Sequence, residues 1–78
     1  MGMTLDQIEV GAVVQVTGLE ASPQTQERLR SIGFGRGRIL TMLQKQAHRP
    51  LLVGFFGTDS RVGIGADLAQ SIKVKPRV

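Results

Sequence analysis

The stretch ERLRSIGFGRGRIL, residues 27–40, places Arg28, Arg30, Arg36 and Arg38 around Gly33, Gly35 and Gly37. Glycine and arginine together are the raw material of a phosphate cradle, because glycine lets backbone amides approach an anion and arginine supplies forked donors. That chemistry requires an order: a strand, then the glycines, then the positive N-terminal end of a helix. Here the glycines follow a predicted helix, whose last carbonyls and negative dipole end face them and repel phosphate. Position 38 is also Arg, so GxGxxG is incomplete.

A helix terminus accounts for more of these residues. With Gly33 as the left-handed residue just past the helix, Leu29 and Phe34 take the two positions whose side chains meet in a Schellman cap. Arg28 and Arg30 fall in the last turn, where cations complement the carbonyl end by about 0.3–1 kcal/mol each at low salt.

Other chemistries find less material. The chain has no cysteine, which removes thiolate metal sites and thiol catalysis. His48 is the one histidine, stands beside Arg49, and reads as a solvated loop residue rather than a metal ligand. Asp6, Glu9, Glu20, Glu27, Asp59 and Asp67 are scattered, so neither a hard-metal cluster nor a nucleophile beside a general base is visible, and no catalytic residue or cofactor is expected. Ten Lys and Arg against six Asp and Glu give a formal net charge of +4, enough to favour anionic surfaces. The charge is spread from Arg28 to Arg77, whereas nucleic-acid binders concentrate it on one face. With no Trp, no Tyr and 3 Phe, stacking platforms and aromatic proline-ligand grooves are both thinly supplied.

The elements that position these residues follow from local pattern. Thr4-Leu5-Asp6-Gln7 matches a capping box, and Leu5 and Ile8 point the same way from one helical turn that ends at Gly11. Residues 12–17 alternate Val14 and Val16 with Gln15 and Thr17, a half-buried strand closed by Gly18. Ser22-Pro23 starts a helix over residues 23–32, serine accepting from early amides and proline having no amide to leave unpaired. Leu29 and Ile32 form its narrow apolar stripe, so it is a lid on a surface. Residues 38–46 are a strand with apolar groups on both faces. If Leu40 and Met42 point inward, then Ile39, Thr41 and Leu43 point outward, and Ile39 with Leu43 forms an apolar patch of the kind that marks interfaces.

Pro50 begins the next strand, residues 51–56, of whose Phe55 and Phe56 at least one belongs in the core. Gly57-Thr58-Asp59-Ser60 makes a hairpin into a strand with Val62 and Ile64. About one helical turn follows over residues 66–71, and a last strand alternates Ile72 and Val74 with Lys73 and Lys75 until Pro76 discourages further pairing. The 78 residues are therefore one domain, residues 1–78, mainly β: five short strands in a small closed or nearly closed barrel, with one helix after the first strand and short helical turns. The longest nearly unbroken apolar run, residues 51–57, is far below the roughly 18 needed for a membrane-spanning helix, and no signal peptide is visible, so a soluble cytoplasmic chain is expected.

The ordered set Leu5-x-x-Ile8-x-x-Gly11, Val14-x-Val16-x-Gly18 and Arg28-Leu29-x-x-Ile32-Gly33-Phe34-x-x-Gly37 resembles ferrous iron transport protein A, FeoA. The similarity continues through Leu40-x-Met42, Pro50-Leu51-x-Val53, Gly57, Val62-x-Ile64, Leu68-Ala69 and Ile72-x-Val74, and so covers essentially the whole chain. The resemblance implies an SH3-like barrel acting as a non-enzymatic cytosolic accessory of bacterial ferrous iron uptake. Its implied partner is the large membrane transporter of that system, protein B, which carries a cytosolic GTPase domain; the chain would meet the membrane only through it. Similar domains end iron regulators of the diphtheria-toxin-repressor type, whose separate DNA-binding domain has no counterpart in this sequence. The connection Gln46-Ala47-His48-Arg49-Pro50 departs from the family's usual turn, and Gly65 stands where a basic residue commonly ends the strand.

The expected partner-binding residues lie on the helix and the strand after it. Arg28 and Arg30 would make polar contacts, Leu29 and Phe34 would supply shape, and Ile39 and Leu43 would supply apolar contact. Self-association stays open. The alternative is a small barrel that binds RNA or DNA, whose affinity would fall steeply with salt.

Overall fold

Alternate apolar residues on each long strand send one face of a single antiparallel sheet inward in the computed structural model, which describes residues 2–77. The strands are β1 (Met3–Thr4), β2 (Val13–Leu19), β3 (Ile39–Gln44), β4 (Leu51–Phe55), β5 (Arg61–Ile64) and β6 (Ile72–Pro76), in the order β1-β6-β2-β3-β4-β5. Helix α1 (Pro23–Ile32) joins β2 to β3, and the single turn α2 (Ala66–Ala69) joins β5 to β6. Val14 and Val16, Leu40 and Met42, Leu51, Val53 and Phe55, and Ile72 and Val74 are all buried, and no polar or charged residue is buried among them.

The expected five-stranded barrel with its helix after the first strand is corrected in three respects. Among the described residues there are six strands, the helix follows the second, and the sheet is not closed: β1 and β5 are its two edges. The missed strand has two residues, paired as Met3↔Val74 and Thr4↔Lys73, too few to print an alternation. It ends where residues Leu5–Gln7 form a 3-10 turn, with the Thr4 amide donating to Gln7 Oε1 at 3.0 Å and the Thr4 hydroxyl donating to the Asp6 carboxylate. That turn packs against α2 and buries Leu5, so side chains fill the opening.

The expected stop at Gly18 is instead an irregularity inside a strand, and the strand expected over residues 38–46 is shorter. β2 runs through Gly18 to Leu19, with a register shift against β6 between Val16 and Gly18, the kind of local insertion a residue without a side chain tolerates. β3 ends at Gln44 with a similar shift at Leu43 against β4. At the other end Pro76 stays within β6. Because Arg77 donates to the Val13 carbonyl at 2.9 Å, Pro76 turns its nitrogen to the opposite side, where β1 no longer runs.

The boundaries of α1 match the expectation at both ends. Ser22 Oγ accepts from the Thr25 amide at 3.3 Å and Pro23 is the first helical residue. Gly33 has φ 128°, its amide donates to the Leu29 and Arg30 carbonyls at 3.2 Å each, and the Phe34 amide donates to the Leu29 carbonyl at 2.9 Å. This is the Schellman arrangement, and Leu29 and Phe34 are both fully enclosed in the core. Ile32, expected to share the apolar stripe, is 45% exposed, because the chain leaves the helix there and Phe34 takes the inward place. The Phe34 and Phe55 rings meet edge to face, centroids 5.4 Å apart.

Two substitutions test this account of α1. Gly33→Ala forces a side chain into a positive φ and places its Cβ 3.0 Å from the Phe55 ring, so chemical denaturation should show a loss of about 1–3 kcal/mol or more. Gly35→Ala, where φ is not positive and a Cβ meets open space, should stay within about 0.5 kcal/mol of the parent. Equal losses at both positions would sink the cap argument. Ser22→Ala should cost about 1 kcal/mol in the same measurement through loss of the cap bond.

Candidate docking face

The strand parity that fills the core also builds an outer face. Val13 and Gln15 of β2, Ile39, Thr41 and Leu43 of β3, Leu52 and Gly54 of β4 and Arg61 of β5 all point away from the interior. Register sets them side by side, with Gln15 opposite Ile39, Thr41 opposite both Val13 and Gly54, and Gly54 opposite Arg61. A Cβ on Gly54 would lie 3.1 Å from Leu43 Cδ1, so glycine at this position lets the Leu43 side chain lie across β4.

Phe56 completes the face. Phe55 is buried and the next residue turns outward, leaving Phe56 72% exposed, while its amide donates to the Ile39 carbonyl at 3.0 Å and keeps it beside β3. Thr41, Leu43, Gly54 and Phe56 with the hairpin residues Asp59 and Arg61 line a shallow groove. Its lining is mixed, Leu43 and Phe56 supplying apolar surface and Thr41, Thr58 and Ser60 hydroxyls beside one acid and one base.

The expected partner-binding residues divide into three groups. Ile39 is half-buried and Leu43 is 38% exposed, both on the outer face. Leu29 and Phe34 are fully enclosed, so any part they have in docking is confined to shape. Arg28 and Arg30 are exposed, but two residues apart on a helix point about 200° apart. Arg28 lies with Gln24, Glu27 and Ser31, whereas Arg30 joins Arg36, Arg38 and the glycines 33, 35 and 37. Sequence reasoning did not single out Phe56 or the grouping of Arg30 with Arg36 and Arg38. Continuing the parity of Leu51 and Val53 through the Phe doublet would have assigned Phe56 outward.

Arg38 is placed by β-pairing. Its carbonyl accepts from the Val16 amide at 2.8 Å, which puts it opposite an inward residue, and its guanidinium carbon lies 4.5 Å over the Phe55 ring centre. Its Nε is enclosed and has no hydrogen-bond partner. Among the described residues the one ion pair is Lys73 Nζ to Glu20 Oε1, 3.0 Å, and no three His, Cys, Asp or Glu side chains are grouped so as to hold a metal ion. No helix among them is long and apolar enough to cross a membrane.

Comparison with known proteins bears on this geometry directly. No curated protein matches the chain significantly. Among solved structures, the iron uptake regulatory protein FeoA superposes with a TM-score of 0.88 at 21% identity, over 99% of this chain and 100% of that one. FeoA of Stenotrophomonas maltophilia, crystallised with zinc, gives 0.78 at 26% identity over 94% of this chain and 89% of its own. That protein is described as a procaryotic SH3 domain protein and proposed as a bacterial ferrous iron transport activating factor. A manganese-dependent transcriptional repressor gives 0.87 at 23% identity over 97% of this chain and 37% of its own, so there the same fold is one part of a longer protein. The small, mainly β, SH3-like architecture is thus shared across these proteins, and the FeoA domain model matches residues 3–76; the chain belongs to the FeoA family.

Proposed function

We propose that this chain is a non-enzymatic cytoplasmic accessory of bacterial ferrous iron uptake that docks on the large membrane transporter carrying a cytosolic GTPase domain. The observation that carries the reading is the outer face, where Leu43 lies across Gly54 beside the largely exposed Phe56 ring. An exposed aromatic next to aliphatic side chains on a rigid sheet has the composition of an interface centre, since such residues supply large area at little cost in side-chain freedom. Membership of the FeoA family, together with the transport-activating role proposed for the Stenotrophomonas maltophilia relative, supplies the class of partner.

Ile39 and Leu43 are the apolar contacts in this reading, Phe56 is added to them, and Leu29 and Phe34 hold the face in shape from beneath. Arg30 lies with the glycine loop that leads into Ile39, and Arg28 serves as a peripheral contact on the other side of α1. Nucleic-acid binding draws less support. A single-strand platform stacks successive bases on several rings, and two of the three phenylalanines, Phe34 and Phe55, are in the core.

Capture of the transporter's cytosolic part on the immobilised chain, with and without guanine nucleotide, tests the reading. The parent should retain it, and Leu43→Asp and Phe56→Ser should each weaken capture about tenfold or more, as expected for residues at an interface centre. Both variants should keep a cooperative melt near that of the parent, because each changes a partly exposed side chain. No capture by the parent in either nucleotide state would sink the proposal, and unchanged capture by both variants would remove this face from it.

A further inference from the structure

Three arginines, Arg30, Arg36 and Arg38, line one shallow pocket with Gly33, Gly35 and Gly37 beyond the C-terminal end of α1. None of the three is in an ion pair among the described residues. Arg30 bonds only to Gln26 Oε1, at 3.4 Å, and Arg36 is exposed. Arg38 is fixed in place by its stack on Phe55, and sealing of its Nε leaves its terminal nitrogens as the donors available to a ligand. Like charges gathered without a counter-charge repel one another, and an oxyanion seated among them relieves that repulsion while accepting forked hydrogen bonds.

We infer that this pocket takes a side-chain carboxylate from an acidic segment of a protein partner. The loop's own amides decide between carboxylate and phosphate. Those of Gly33, Phe34, Gly37 and Arg38 already donate to the carbonyls of Leu29, Arg30, Val16 and Gly35, which leaves the amides of Gly35 and Arg36, too few to encircle a phosphate. The helix presents its carbonyl end, which disfavours a doubly charged group more than a singly charged one. What remains is chiefly arginine, whose planar fork matches a carboxylate. Arg38 precedes Ile39 in the chain but turns to the opposite side of the sheet, so the pocket and the apolar face are separate surfaces. Assignment of the ligand to a protein rests on the docking reading above, and adds that the partner carries Asp or Glu apart from its apolar contact.

Titration of the chain with tetraglutamate peptide, followed through its backbone and guanidinium N–H signals by NMR, tests the pocket without the transporter. The peptide should shift the amides of Gly35, Arg36 and Arg38 saturably, and the effect should weaken with salt. Arg36→Gln and Arg30→Gln, both at exposed positions, should each weaken binding about threefold to tenfold by removing a charge-assisted donor. Arg28→Gln, the same change of charge on the other side of α1, should leave it unaltered. Arg38→Lys keeps the charge but loses the fork and the stack, and should weaken binding about tenfold.

Equal losses from Arg28→Gln and Arg36→Gln would mean attraction to net charge alone and would overturn the inference. So would the absence of saturable shifts, or inorganic phosphate or polyuridylate moving the same amides at lower concentration. Transporter capture that survives while peptide binding fails overturns this inference and leaves the docking face standing.

Discussion

Gly33 at φ 128° rests against Phe55, and the chain that leaves it carries Phe34 into the same ring's face. Much of the molecule depends on that closure. Helix α1 has ten residues and buries a single side chain completely, Leu29, worth about 1.5–3 kcal/mol. An isolated helix of that length is marginal in water. It is held across the sheet by the pairing of Leu29 with Phe34 at its end and by Ser22 and Pro23 at its start. Where the helix ends also determines where β3 begins, and so which residues of β3 face outward.

The sheet meets a different constraint, that of unpaired edges. β5 exposes one side over four residues and β1 over two, short lengths that offer little template for another chain. The gap between them is occupied by the 3-10 turn and α2, which bury Leu5 and Ala69. Lys45 Nζ donates to the Ile8 carbonyl at 3.1 Å and ties the end of the β3 region to the segment after that turn. An open sheet plugged by side chains thus reaches the same end as a closed barrel, with the curvature supplied by shifts at Gly18 and Leu43.

What could be read from the residues was what local geometry dictates. Ser22-Pro23 and Leu29 through Phe34 each specify a helix end within a few residues, and both ends fall where their chemistry puts them. The inward parity of Val14 and Val16, or Ile72 and Val74, is equally local. β1 was hidden because two residues carry no period, and its pairing with β6 spans nearly the whole chain. Gly18 misled for a related reason: a bulge keeps the strand but breaks the alternation by which strands are recognised. Of the docking face, Ile39 and Leu43 were legible through parity. Phe56 was not singled out because it sits one residue past β4, where strand and turn compete. Arg30, Arg36 and Arg38 were visible as a run, whereas Arg28 and Arg30, expected together as polar contacts, line different parts of the surface, since spacing along a helix separates residues that look adjacent in writing.

Arg38 and Ile39 show how one step along a strand divides two chemistries. Opposite Val16, Arg38 is drawn to the core side, where its flat guanidinium suits a ring face better than a compact ammonium would. Opposite Gln15, Ile39 is sent outward. Enclosing Nε without a partner carries a cost that a purely structural apolar residue would avoid. Three other basic residues have an acid near them: Lys73 is paired with Glu20, Arg61 shares the hairpin groove with Asp59, and Arg28 has Glu27 beside it. A formal charge of +4 is therefore not a uniform attraction for polyanions. Three cations without an ion pair, Arg30, Arg36 and Arg38, line the glycine loop that the helix cap sets before β3, so the closure at Gly33 that shapes the apolar face also decides where that charge stands.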